Sequence, residues 1–167
     1  MSKEIIIIDY GLGNILSLKN MKQRFDLVES SGVLHHMANP MVGWKVLVDL
    51  VKPGGLMNIG LYSELARTNV SNTIKEINFL GINSSNESMK DFRTKMFSSS
   101  NKHHIQLRKS ADFYSMSSLR DLLFHVQEHR FSIPQIKRSL SELGLKFCGF
   151  GTPEIVEVFK RHNRGEA

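Results

Sequence analysis

One cysteine, Cys148, is the whole thiol content of the 167 residues. It has no partner for an internal disulfide, it cannot build a zinc site from several thiolates, and it fits a reducing cytoplasm. The Asn-x-Ser/Thr sequons at Asn69, Asn83 and Asn86 therefore carry no meaning in this reading. Long apolar runs are missing too: Ile5–Ile8 and residues 46–48 fall far short of the ~20 residues that span a bilayer. Residues 1–20 hold no secretory apolar core. The expectation is a cytoplasmic protein, neither membrane-spanning nor exported. Proline is scarce, and each of the four marks a boundary: Pro40, Pro53, Pro134 and Pro153. What is present is ordinary for a folded chain. With 41% hydrophobic and 23% charged residues, disorder, collagen and coiled coil are excluded, and at ~150 residues per domain the length makes one domain.

The formal charge is +6 and the isoelectric point about 9.6, which suits an anionic partner. The basic residues are scattered, however. Lys45, Lys52, Arg67, Lys75, Arg93, Lys102, Arg120, Arg138 and Arg161 sit in different segments with acids between them. Without a Lys/Arg block or an RNA-binding aromatic motif, the sequence argues against a nucleic-acid interface.

Residues 4–9 read as a strand covered on both faces, because its Ile5–Ile8 run is β-branched. Gly11, Gly13 and Asn14 follow as a sharp turn, then a short helix over 15–24 and a second strand over 25–30. Asn39 and Pro40 form an N-cap and first-turn pair. The helix they open carries Met41, Trp44, Leu47, Val48 and Val51 on one face and Lys45, Asp49 and Lys52 on the other. Pro53-Gly54-Gly55 ends it before a third strand over 56–62, giving a strand-helix-strand unit of the parallel type. From 64 to 130 the spacing is helical, with Leu65, Ala66, Val70, Ile74 and Ile77 on one stripe and Met89, Phe92, Met96 and Phe97 on another. Polar connectors are expected at 83–88 and 98–101, and a helix over 118–126. Ile136, Leu140 and Leu143 face inward on a further helix that Gly144 caps, followed by a strand over 145–150 and a last helix opened by Thr152-Pro153-Glu154.

Four clusters carry chemistry. Asp9-x-Gly11-x-Gly13 between strand and helix lets backbone approach a ligand, although such a turn also occurs with no ligand at all. Glu29 stands at a strand end where dinucleotide folds place a ribose-binding acid; a solvated carboxylate is the competing reading. His35 and His36 follow the second strand at its carboxyl end, as a base or polar wall of a site or as a pair that caps a loop. His125-Val-Gln-Glu128-His129 matches the inverted zinc-peptidase pattern, with the histidines four apart on a helix face. No third ligand is evident and Arg130 repels a cation, so no metal is expected there and a polar helix end or substrate-side surface is preferred. Cys148 reads as a small core residue, and His103-His104, in a Ser/Asn/Lys-rich stretch, as solvated.

Two resemblances cover different parts of the chain. Phe25-Asp-Leu-Val-Glu-Ser-Ser-Gly-Val-Leu-His-His-Met37 and Leu50-Val-Lys-Pro-Gly-Gly-Leu-Met57 resemble the middle strands of class I S-adenosylmethionine-dependent methyltransferases. Gly60-Leu-Tyr-Ser-Glu-Leu-Ala-Arg67 and the stretch from Arg120 to Pro134 are similar to a subgroup often joined to tetratricopeptide repeats, a likeness running over 25–150. Ile7-Ile-Asp-Tyr-Gly-Leu-Gly-Asn14 with Ser17 resembles instead the opening of the glutamine amidotransferase subunit of imidazole glycerol phosphate synthase. That activity needs a cysteine in a Gly-x-Cys-x-Gly elbow, a context Cys148 lacks.

The methyltransferase resemblance implies a truncated Rossmann-like sheet, mostly parallel, with strands at 4–9, 25–30, 56–62 and 145–150 and a helical insertion over 64–130. The whole chain is then one incomplete domain, with an atypical 1–24, a core portion at 25–150 and a C-terminal helix in 151–167. S-adenosylmethionine is the implied cofactor. Asp9, Gly11, Gly13, Glu29 and Ser31 lie on its side, Tyr62, Arg67, His129 and Arg130 on the substrate side, and His35 and His36 are candidate catalytic groups. Only 11 residues separate Gly13 from Phe25, too few for the two strands and two helices the family places there, and the chain stops at Ala167 where relatives continue. Weak or absent methyl transfer is therefore expected. The alternative is a catalytically silent fragment or interaction module, and the amidotransferase subunit stands behind both. Strand 4–9 or 25–30 should then lie at an exposed edge through which chains self-associate or a partner completes the sheet.

Overall fold

The computed structural model describes residues 3–8, 15–125 and 127–162. Its described residues form two compact units interleaved along the chain, the first drawn from 1–31, 41–60 and 133–167 and the second from 32–40 and 61–132. The architecture is mixed α/β, a small parallel sheet accompanied by several helices.

In the first unit, β1 (Ile5–Ile8), β2 (Phe25–Ser30) and β3 (Val51–Ile59) pair in that order, all parallel. β2 is central and β1 takes an edge, so of the two strands expected at an edge it is the first. Parallel neighbours need a crossover, and α1 (Pro40–Asp49) supplies it between β2 and β3. Of the expected apolar face Trp44 and Leu47 are buried, joined by Val46 and Leu50, which that face did not include, while Met41, Val48 and Val51 are partly buried. The stop differs from expectation. β3 begins at Val51, and Lys52-Pro53-Gly54-Gly55 lies inside the strand as an irregularity, since Phe25 pairs with Val51 while Leu27 pairs with Leu56. Gly54 takes φ +78° there, a region that favours glycine, and a Cβ on Gly55 would come within 2.8 Å of Val51 Cγ1. Lys52 reaches from this segment to Glu4 and Asp26 at 3.0 Å each. The amide of Glu4 and then the Lys52 ammonium hold the Asp26 carboxyl below its usual range.

Paired residues point to the same side of a sheet. Ile6, Ile8, Val28, Ser30, Met57 and Ile59 share one face, on which Ile8, Val28 and Ser30 are buried. Ile5, Ile7, Leu27, Glu29, Leu56 and Asn58 share the other, and that face is bare: Ile5 is 58% exposed, Ile7 61% and Leu56 59%. The strand expected to be covered on both faces is thus covered on one.

The strand expected over 145–150 does not form; no sheet edge pairs with it. Cys148 is consequently exposed and not a core residue. α6 (Ile133–Glu142) ends as foreseen, with Gly144 at φ +66° and the Leu145 amide returning to Leu140 O. α7 (Pro153–His162) starts at the fourth proline and buries none of its residues.

The second unit is helical: α2 (Thr68–Phe79), α3 (Asn86–Ser98), α4 (Lys102–Leu107) and α5 (Met116–Leu123). Val70, Ile77, Phe92, Met96, Leu107, Phe113, Leu119, Leu122 and Leu123 form its core. Ser85, Asn101 and Ser115 accept backbone hydrogen bonds at the starts of α3, α4 and α5, so helix occupies part of the stretches read as connectors. His104 is not solvated. It is 4% exposed, with Nε2 2.9 Å from Glu76 Oε2 and Nδ1 2.9 Å from Ser99 Oγ. A sequence that buries a histidine must give its nitrogens partners, and here they come from α2 and the end of α3.

Candidate functional site

His35 and His36 occupy a 3-10 turn (Leu34–His36) that follows the carboxyl end of β2, and Tyr62 follows the carboxyl end of β3. The Tyr62 ring lies against His35 at a centroid distance of 3.8 Å and an interplanar angle of 29°, His35 meets His36 edge-on at 4.3 Å, and His36 stacks on His125 at 4.0 Å. The Arg67 guanidinium rests 4.0 Å above the Tyr62 ring. The result is an unbroken column, Arg67–Tyr62–His35–His36–His125, drawn from three separate stretches of sequence.

α5 ends at Leu123, so His125, Glu128 and His129 are not on a helix. The four-residue spacing therefore does not put the two histidines on a common face. The segment runs instead along the column. The His129 amide donates to His35 O at 2.7 Å, the Phe131 amide to Tyr62 O at 2.8 Å, and Gln127 Nε2 lies 3.3 Å from His129 Nε2. Glu128 is committed to Arg67: Nε donates to Oε1 at 3.2 Å and Nη2 to Oε2, with the side chains only 14% and 7% exposed. Such a fork is the geometry in which guanidinium meets carboxylate best. Arg130 donates to Ser71 Oγ, and the Ser71 amide donates to Arg67 O. Among the described residues no group of three potential ligands is placed to hold a metal ion.

The two candidate bases differ. His35 is 2% exposed and acts as packing within the column, whereas His36 is half-buried. Gln127 O lies 3.2 Å from His36 Nδ1. A carbonyl only accepts, so neutral His36 carries its proton on Nδ1 and its basic nitrogen is Nε2. Burial holds the His36 pKa below the usual histidine value, against the opposing pull of the Gln127 carbonyl and with a smaller contribution from His125. A depressed folded pKa has a definite sign: the stability it protects is present above pH ~6.5, the unfolded value, and is lost as pH falls through the folded one. Urea titrations at pH 7.5 and 5.5 should therefore show the wild type losing stability on acidification. His36→Gln should lose less, and an equal loss in both proteins would contradict this account.

Beside the column lies a cavity of about 220 Å³ lined by Tyr62, Arg67, Asp112, Ser118, Asp121 and Leu122. Asp112 and Asp121 escape sequence reasoning. Asp112 reads as a turn residue near the Ser110 cap, and Asp121 as one charge on the outer side of α5. Of the residues assigned to the substrate side, Tyr62, Arg67, His129 and Arg130 all fall in this assembly with His35 and His36.

The residues assigned to the cofactor side are placed differently. Asp9, Gly11 and Gly13 lie outside the described residues. Glu29 is on the bare sheet face, and Ser31 follows the end of β2, beside Gly60, where a Cβ would come within 2.4 Å of Ser31 Oγ. Between Glu29 and Ser31, the Ser30 hydroxyl is buried on the covered face with no hydrogen-bond partner among the described residues.

No protein-family model matches the chain. An uncharacterized protein of Synechococcus sp. is similar, at 28% identity over 149 residues, which is 81% of this chain and 35% of that protein. The chain thus spans about a third of the length of the relative it matches.

Proposed function

We propose that the chain is the acceptor-side portion of a class I S-adenosylmethionine-dependent methyltransferase of truncated Rossmann-like form, with weak methyl transfer centred on His36. One observation carries the reading: the residues that the resemblance puts on the substrate side, Tyr62, Arg67, His129 and Arg130, converge with His35 and His36 although up to 95 positions separate them. The strand order agrees with the topology of that family's sheet, in which the first strand lies beside the fourth. Ligands of open α/β sheets sit beyond the carboxyl ends of the strands, and in chain order His35 and His36 follow β2 and Tyr62 follows β3.

The polar atoms at that end fit the nucleoside part of the cofactor. The Ser30 hydroxyl, which has no partner among the described residues, and the Ser31 hydroxyl would hold it. When bound, S-adenosylmethionine supplies an electrophilic methyl group for a nitrogen, oxygen or carbon acceptor. The chain's own residues do the rest. Tyr62, held between Arg67 and His35, forms a wall against which an acceptor is positioned, and fixed position provides most of the rate in a transfer of this kind. His36 Nε2 receives the acceptor's proton, and because burial favours the neutral imidazole it is ready to do so near neutral pH. Arg67, neutralised by Glu128, holds the Tyr62 ring in place without serving as an anion anchor.

Isothermal titration with S-adenosylmethionine and its demethylated product tests the reading. Weak binding is expected, abolished in Gly11→Val by loss of backbone approach and reduced in Ser30→Ala. The latter should leave the free protein as stable as before or more so, because removing a buried hydroxyl with no partner removes a desolvation cost of about 1–3 kcal/mol. No heat at millimolar ligand, from protein that melts cooperatively, would sink the proposal.

A further inference from the structure

Parallel sheets are found with both faces covered, yet one face of this one carries Ile5, Ile7 and Leu56 in the open. The same unit holds a second exposed apolar surface, the stripe of α7 in which Ile155 is 66% and Val158 50% exposed. We propose that each surface covers the other between two copies of this chain, α7 of one copy lying on the bare sheet face of its partner and the reverse.

Charge complementarity selects this occupant. The bare face carries Glu29 near the carboxyl ends of the strands, and Lys3 precedes β1 at the amino ends. α7 carries Glu154 in its first turn and Arg161 in its last. Glu29 and Arg161 make no ion pair among the described residues. A helix laid along the strands, running in their direction, brings Glu154 to Lys3, Ile155 and Val158 over Ile5, Leu56 and Ile7, and Arg161 to Glu29. The lengths agree: four strand residues cover ~13 Å and seven helical residues ~10 Å, a difference that the long charged side chains take up. A helix in the opposite direction would set Glu154 against Glu29 and Arg161 against Lys3. In a reciprocal exchange a two-fold axis relates the copies, so the dimer closes and leaves neither surface bare.

Sedimentation velocity over a concentration series tests the exchange. The wild type is expected to dimerise. Ile7→Lys and Val158→Lys, at side chains already half exposed or more, should each give a monomer that still melts cooperatively. Glu29→Arg and Arg161→Glu should each weaken the dimer on the order of tenfold, and the double variant Glu29→Arg/Arg161→Glu should restore it. A wild type that stays monomeric up to its solubility limit would overturn the proposal, and so would a dimer indifferent to Ile7→Lys and Val158→Lys. Failure of the charge reversal to rescue would overturn the orientation and with it the argument for this occupant.

Discussion

Arg67→Ala should destabilise the protein by about 3–5 kcal/mol, because it leaves the Glu128 carboxylate, 7% exposed, without its cation. The same change uncovers one face of the Tyr62 ring, so the column loses its outer support. Chemical denaturation measures the first effect. The paired replacement Arg67→Met with Glu128→Leu separates charge from packing: removing both charges together should recover most of the loss, since desolvating a buried pair cancels much of its attraction. A single-variant loss below about 1 kcal/mol would mean that water reaches Glu128 and that the pair behaves as a surface one.

Phe113→Ala should cost a similar amount by another route. Phe113 is fully buried at the centre of the helical unit, and Phe97 and Tyr114 meet it edge-on at 5.2 and 5.4 Å. Truncation removes the ring's transfer energy and leaves a cavity that Phe97 and Tyr114 cannot close, for about 3–5 kcal/mol in all. Phe113→Leu should cost less than half of that. Equal losses for the two would show that ring contacts rather than volume determine the effect.

Sequence carried the local part of this structure and missed the part made by distance. Asn39-Pro40, Gly144 and Pro153 were legible because a cap, a missing donor or a left-handed glycine acts on its immediate neighbours, whereas Pro53 read as a helix stop and lies inside β3. Leu145, Phe147 and Phe150 have an apolar pattern that suits a strand, but a strand exists only if an edge accepts it, and none does. His104 read as solvated because its carboxylate partner is 28 positions away, and Glu128 read as part of a polar helix end or substrate-side surface because Arg67 is 61 positions away. The position of His35 and His36 was readable from the strand before them. Which of the pair stays accessible depends on Tyr62, and which nitrogen is basic depends on Gln127, neither of which a local pattern reveals.

The interleaving of the two units also sets an order of events during synthesis. Residues 32–40 leave the ribosome well before residues 127–131, and at typical rates the interval is on the order of 5–20 s. Through that interval His35 has neither its Tyr62 wall complete nor the His129 amide on its carbonyl, while the sheet strands on either side, 25–30 and 51–59, are already free to pair. The column therefore closes only after the three strands are available to pair. A ribosome paused before residue 125 would display a paired sheet and an unfinished column, with Ile5 and Ile7 exposed to whatever chaperone stands at the exit.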